Sequence, residues 1–208
     1  MNTLELASHG PVIPVIVINR LDDAVPMAQA LVDGGVRVLE VTLRTPVALR
    51  CMEAIARAVP EAIVGAGTVR SVADAQAARD AGCRFAVSPG YLHEVGIACH
   101  ELGLPLLPGV STGSEVMQAN ADGYDFLKFF PATAAGGIPM LKALAGPFPD
   151  VAFCPTGGIT PETAPQFLAL PNVRVCGGSW LTPSDAVEAR DWGRITQLAR
   201  ETAKLRRG

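Results

Sequence analysis

Apolar residues along the chain gather in short β-branched runs that alternate with Ala- and Leu-rich segments of helical period. This alternation predicts strands over 12–18, 36–43, 62–69, 84–89, 105–110, 125–131, 151–156 and 173–178. It predicts helices over 22–33, 46–58, 71–81, 92–102, 113–121, 138–145, 161–168 and 184–206. Thr45-Pro46 reads as an N-cap followed by Pro at N1, and Thr112-Gly-Ser-Glu115 has capping-box spacing.

Eight βα units in 208 residues, with no linker and no break in composition, match a compact (β/α)8 TIM barrel. The chain 1–208 is then one α/β domain, with residues 1–10 as a lead-in. An open doubly wound sheet fits the same alternation, and the count of eight favours closure. In a barrel, reacting groups stand at the carboxyl ends of the strands, so chemistry is sought there.

Composition narrows the function. The chain is 49% hydrophobic and 18% charged with a formal net charge of -3, enough apolar material for a sizeable core. The only basic run is Lys204-Leu-Arg-Arg207, which reads as a solvated helix end, so no nucleic-acid partner is expected. The longest apolar runs fall short of the ~20 residues a membrane helix needs, and no membrane partner is expected either. Residues 1–10 lack the basic start and apolar stretch of a secretory signal. Five cysteines without C-x-x-C spacing suggest neither disulfides nor a zinc site and point to a reducing, cytoplasmic setting. His9, His93 and His100 end no predicted strand, no metal is expected, and no G-x-G-x-x-G opens a helix.

Against this background one strand stands out. "GYDFLKFFPA" places Lys128 among Phe126, Leu127, Phe129 and Phe130. Period-2 alternation sets Phe126, Lys128 and Phe130 on one face. An interior lysine is desolvated, which disfavours the ammonium and exposes the amine that Schiff-base chemistry on a ketone requires. A lysine merely paired with a carboxylate inside the barrel is the other reading.

Strand 36–43 supplies the second set. Val36, Val38, Glu40, Thr42 and Arg44 share one parity in "VRVLEVTLRTP", so Glu40 could move protons and Arg44 could hold a carboxylate or phosphate. A Glu40–Lys128 or Glu40–Arg44 pair that only fills space is the alternative.

The remaining strand ends are richer in glycine than in ionisable groups. "GAGTV" offers Gly65, Gly67 and the Thr68 hydroxyl, with turn geometry an equal explanation. "PTGGI" and "CGGSW" pair glycines after the last two strands, where barrels often hold phosphate on backbone N–H groups.

Taken together, "GVRVLEVTLRTP", "VGAGTV", "VSPG", "PGVSTGSE", "LKFFPA", "FCPTGGI" and "GGSWL" resemble, in order, the KDPG/KHG aldolase family. These are class I lyases acting on 2-dehydro-3-deoxy-6-phosphogluconate (KDPG) and 4-hydroxy-2-oxoglutarate (KHG). The resemblance implies Lys128 as the Schiff-base lysine and Glu40 as general acid and base. It implies Arg44 and Thr68 at the pyruvyl carboxylate, and Pro89 and Phe130 against the pyruvyl carbons. Thr156, Gly157, Gly158, Gly178 and Ser179 would surround the phosphate. It also implies a homotrimer, no cofactor beyond the covalent Schiff base, and a place in the Entner–Doudoroff pathway. A phosphate-binding barrel isomerase or synthase without a covalent intermediate, and a non-catalytic ligand-binding barrel, are the competing classes.

Overall fold

The computed structural model describes residues 3–205. Helix α1 (Thr3–Leu6) and a 3-10 turn (Ala7–His9) lead into β1 (Val12–Ile16). There follow α2 (Ala24–Asp33), β2 (Val38–Thr42), α3 (Ala48–Ala58), β3 (Ile63–Gly67), α4 (Val72–Asp80), β4 (Phe85–Val87) and α5 (His93–Glu101). The fifth predicted strand is divided at Pro108 into β5 (Leu106–Leu107) and β6 (Gly109–Val110). Beyond it lie α6 (Gly113–Ala121), β7 (Phe126–Phe129), α7 (Gly137–Ala145), β8 (Ala152–Pro155), α8 (Ala164–Leu168), β9 (Cys176–Gly178), α9 (Ser184–Glu188) and α10 (Trp192–Ala203).

All pairings between these strands are parallel. Six strands form one sheet in the order β5-β4-β3-β2-β1-β9, and β6-β7-β8 form a second. Single parallel bridges, Phe153 with Val173 and Thr156 with Gly177, join the region of β8 to that of β9.

Both sheets face a common interior. Ile13, Val38, Ile63, Phe85, Val87, Leu107, Phe126, Ala152, Cys154 and Val175, drawn from both, form one buried cluster. Leu6 and Ala7 belong to it, so the N-terminal lead-in closes part of the core rather than hanging free of it. Gly65 makes room in the same cluster, because a Cβ there would run into the Phe85 ring. Residues of the other parity, such as Leu39, Val41, Leu127 and Phe129, pack outward against the helices. Each such side chain, fully withdrawn from water, contributes about 1.5–3 kcal/mol.

Two local expectations are corrected. Thr45 does not cap α3: its hydroxyl donates to Ile18 O at 2.6 Å, and the helix begins at Ala48 with no side-chain cap. The single helix expected over 184–206 is two, because Arg190 adopts φ +54° and Asp191 caps α10 by accepting from Arg194 N. The capping box of α6 is present in full, with Glu115 Oε2 accepting from Thr112 N at 2.8 Å. The basic tail 204–207 lies partly outside the described residues.

Candidate active site

Lys128 sits inside β7, with β6 and β8 on either side, so the apolar run around it is not an edge strand. Its backbone is fixed by donation from Lys128 N to Pro108 O at 2.8 Å. Alternation does what the sequence implied: Phe126 and Lys128 point inward, and Leu127 and Phe129 pack outward. Glu40 points inward from β2. Lys128 Nζ donates to Glu40 Oε1 at 3.1 Å, and the two residues are only 4% and 3% exposed. The same Nζ lies 5.2 Å from the centroid of the Phe130 ring, whose face attracts a cation.

Just beyond the end of β2, Arg44 turns outward. Its Nε donates to Thr68 Oγ1 at 3.3 Å, linking the ends of β2 and β3. Thr68 holds φ +63°, a region that a β-branched residue rarely occupies. Leu43 N donates to Gly67 O at 2.9 Å and Thr42 Oγ1 to Ile16 O at 3.0 Å, so three strand ends are tied where Arg44 emerges.

On the opposite side, the chain after β8 turns through Gly157 (φ +104°) and Gly158 (φ +74°). Gly157 O accepts from Thr133 N at 3.1 Å and Thr133 Oγ1 at 3.0 Å. The Gly157 and Gly158 N–H groups donate to no acceptor among the described residues. The glycines of "CGGSW" differ from these: both lie in β9, with the space beside Gly177 filled by Thr156 and that beside Gly178 by the Trp180 ring.

A cleft of about 120 Å³ connects these parts. Arg44, Lys128, Phe130, Thr156, Gly157, Gly158 and Ser179 line it. Glu40, Thr68, Pro89 and Gly178 do not; Glu40 lies behind Lys128, and Thr68 reaches the cleft through Arg44. Gly177 of "CGGSW" lines it as well, and so do Val15 and Ile159, which were not singled out from the sequence. Val15 is the register partner of Glu40, but an apolar residue in an apolar strand gives no functional signal.

Other reactive groups play a different part. Cys154, the register partner of Lys128, has its thiol pushed up to about 12 by burial, which keeps it protonated beside the amine. His93 is exposed in α5, with Nδ1 2.7 Å from Asp122 Oδ2, the surface role expected of it. Among the described residues, no three His, Cys, Asp or Glu side chains gather where they could hold a metal ion. No helix there is long and apolar enough to cross a membrane.

A buried lysine and glutamate at the mouth of a parallel α/β core, facing an arginine and free backbone N–H groups, suit imine chemistry on a phosphorylated keto acid. The chain belongs to the KDPG and KHG aldolase family, whose family model matches residues 4–198. It is 55% identical over 199 residues to the KHG/KDPG aldolase of Escherichia coli K12, covering 96% of this chain and 93% of that one. The crystal structure of KDPG aldolase from Legionella pneumophila, with pyruvate captured at low pH as a covalent carbinolamine intermediate, superposes with TM-score 0.96. The two are 48% identical, with 98% of this chain and 99% of that one covered. KDPG aldolase of Zymomonas mobilis ZM4 with 3-phosphoglycerate gives TM-score 0.94 at 45% identity, covering 99% and 97%.

Proposed function

We propose that this chain is a class I aldolase that cleaves KDPG to pyruvate and glyceraldehyde 3-phosphate, and also KHG to pyruvate and glyoxylate. The observation that carries the reading is the buried 3.1 Å contact between Lys128 Nζ and Glu40 Oε1 beside the cleft. Moving one proton along that hydrogen bond turns the ion pair into a neutral amine and a neutral acid. The amine adds to the C2 ketone, Glu40 returns its proton as water leaves, and a protonated imine results. Glu40 then takes the C4 hydroxyl proton, the C3–C4 bond breaks, and its electrons pass to the imine to give an enamine. The aldehyde departs, C3 is reprotonated, and hydrolysis frees pyruvate and Lys128. The carbinolamine in the Legionella relative supports this order of events.

Arg44 and Thr68 hold the pyruvyl carboxylate, and Pro89 and Phe130 pack on the pyruvyl carbons. Thr156, Gly157, Gly158, Gly178 and Ser179 surround the phosphate, and the unpaired N–H groups of Gly157 and Gly158 suit an anion. The reaction needs no metal and no cofactor beyond the Schiff base.

The strands close into a single-domain (β/α)8 barrel over 1–208. The shared interior cluster and the Thr156–Gly177 bridge support closure. The chain works as a homotrimer in the cytoplasm, in the Entner–Doudoroff pathway. Its five thiols, all buried and free, suit a reducing compartment.

Steady-state cleavage of KDPG, its C4 epimer, KHG and oxaloacetate tests the reading. KDPG should give the highest kcat/KM. Turnover of none of the four would remove it.

A further inference from the structure

"GAGTV" reads from sequence as either a turn or a close backbone approach, and it is neither in the usual sense. Gly67 is the last residue of β3, buried, with φ outside the left-handed region, so conformational freedom does not explain it. Its backbone is held by five register pairs between β2 and β3, ending at Thr42 with Gly67, and by donation from Leu43 N to Gly67 O. What a side chain at 67 would meet is Glu40. A Cβ there would stand 2.7 Å from Glu40 Cγ, 3.0 Å from Cδ, and closer still to Oε1, the atom that accepts from Lys128.

We propose that Gly67 is a positioning residue for the aldol cleavage: its bare Cα is the seat that lets the Glu40 carboxylate lie against Lys128. The inference rests on the role given to Glu40 above. Glu40 leaves β2 beside Gly65 and leans forward over Gly67, as strand side chains lean along their strand. The two glycines of the motif therefore serve different ends. Gly65 makes room for the Phe85 ring, a packing role, whereas Gly67 makes room for a reacting carboxylate. Glu40 is only 3% exposed, and a methyl group at 67 would overlap its Cγ and Oε1, so the carboxylate would have to leave the position from which it meets Nζ.

A mutant cycle tests this. Gly67→Ala should lower kcat for KDPG on the order of 100-fold, the scale expected from a misplacement of about 1 Å, with KM changed less than about 3-fold. In a Glu40→Ala background, which removes Cγ and the carboxyl, the same substitution should cost nothing further in kcat or Tm. Gly65→Ala should lower Tm and act alike in both backgrounds. Equal losses from Gly67→Ala with and without Glu40 would make Gly67 a packing residue and overturn the proposal.

If Gly67→Ala alone does not fold, recovery of folding by Glu40→Ala supports the seat, and failure of the double variant overturns it. A crystal structure of Gly67→Ala reads the same point without activity. Nζ and Oε1 beyond 4 Å supports the proposal even if wild type cleaves none of the keto acids, and an unchanged 3.1 Å contact refutes it.

Discussion

Lys128 Nζ and Glu40 Oε1 meet 3.1 Å apart although their strands, β7 and β2, belong to different sheets. The contact bridges the interior that both sheets face. Breaking such a pair leaves a buried charge alone, at a cost of about 3–5 kcal/mol, while removing both charges is far cheaper. Lys128→Met should therefore lower Tm by roughly 6–20 °C, and adding Glu40→Gln should restore most of it. Calorimetry of the two variants checks this; a double variant no more stable than Lys128→Met would mean that the pair is not coupled.

Thr68 holds its strained φ at the site rather than in an ordinary turn. Thr68→Asn places a residue tolerant of that region and should raise Tm by about 2–8 °C, from roughly 1–2 kcal/mol of relief. It also removes the hydroxyl that accepts from Arg44 Nε, so KM for pyruvate-derived substrates should rise about tenfold. Melting curves and kinetics on one preparation decide it, and a lower Tm would argue against strain.

Selectivity for phosphate should separate from catalysis. Ser179→Ala removes an exposed hydroxyl at the cleft and should raise KM for KDPG about tenfold while leaving KHG within about twofold. Gly157→Ala, strained at φ +104° and 3.4 Å from the Phe130 ring, should weaken KDPG further. Parallel kinetics on the two substrates show whether the losses differ; equal losses would place the phosphate elsewhere.

Much of this was legible in the residues because burial leaves a strong signature in them. The eight apolar runs all became strand regions, and Lys128 and Glu40 were conspicuous as charges on interior positions. What stayed hidden depends on partners distant in sequence. Thr45 resembles a cap until Ile18 O offers its hydroxyl another acceptor. The break at Arg190 carries no Gly or Pro to announce it. Leu6 seals the interior from a stretch with no periodicity, and Gly67 looks like turn punctuation until Glu40 is seen above it.

Acid should loosen α6 in a way one residue controls. Burial opposes ionisation of Glu115, but hydrogen bonds from the backbone and hydroxyls of Ser111 and Thr112 outweigh it and hold the carboxyl below its ordinary 4.5. A depressed folded value means that the stabilisation is present above the unfolded value and is lost as pH falls through the folded one. Glu115→Gln should lower Tm at pH 7, while its Tm should fall less than that of wild type as pH drops below about 4.5. Parallel Tm–pH curves would contradict this assignment.

In the proposed mechanism Lys128 forms the imine and Glu40 moves the protons. Borohydride added with pyruvate, followed by peptide mass analysis, tests it most directly. Wild type should carry a reduced pyruvyl adduct on Lys128, and Glu40→Gln should retain a detectable one even as KDPG cleavage falls by about 10²–10⁴. An unmodified Lys128, or an adduct on Lys142 or Lys204 instead, would contradict it.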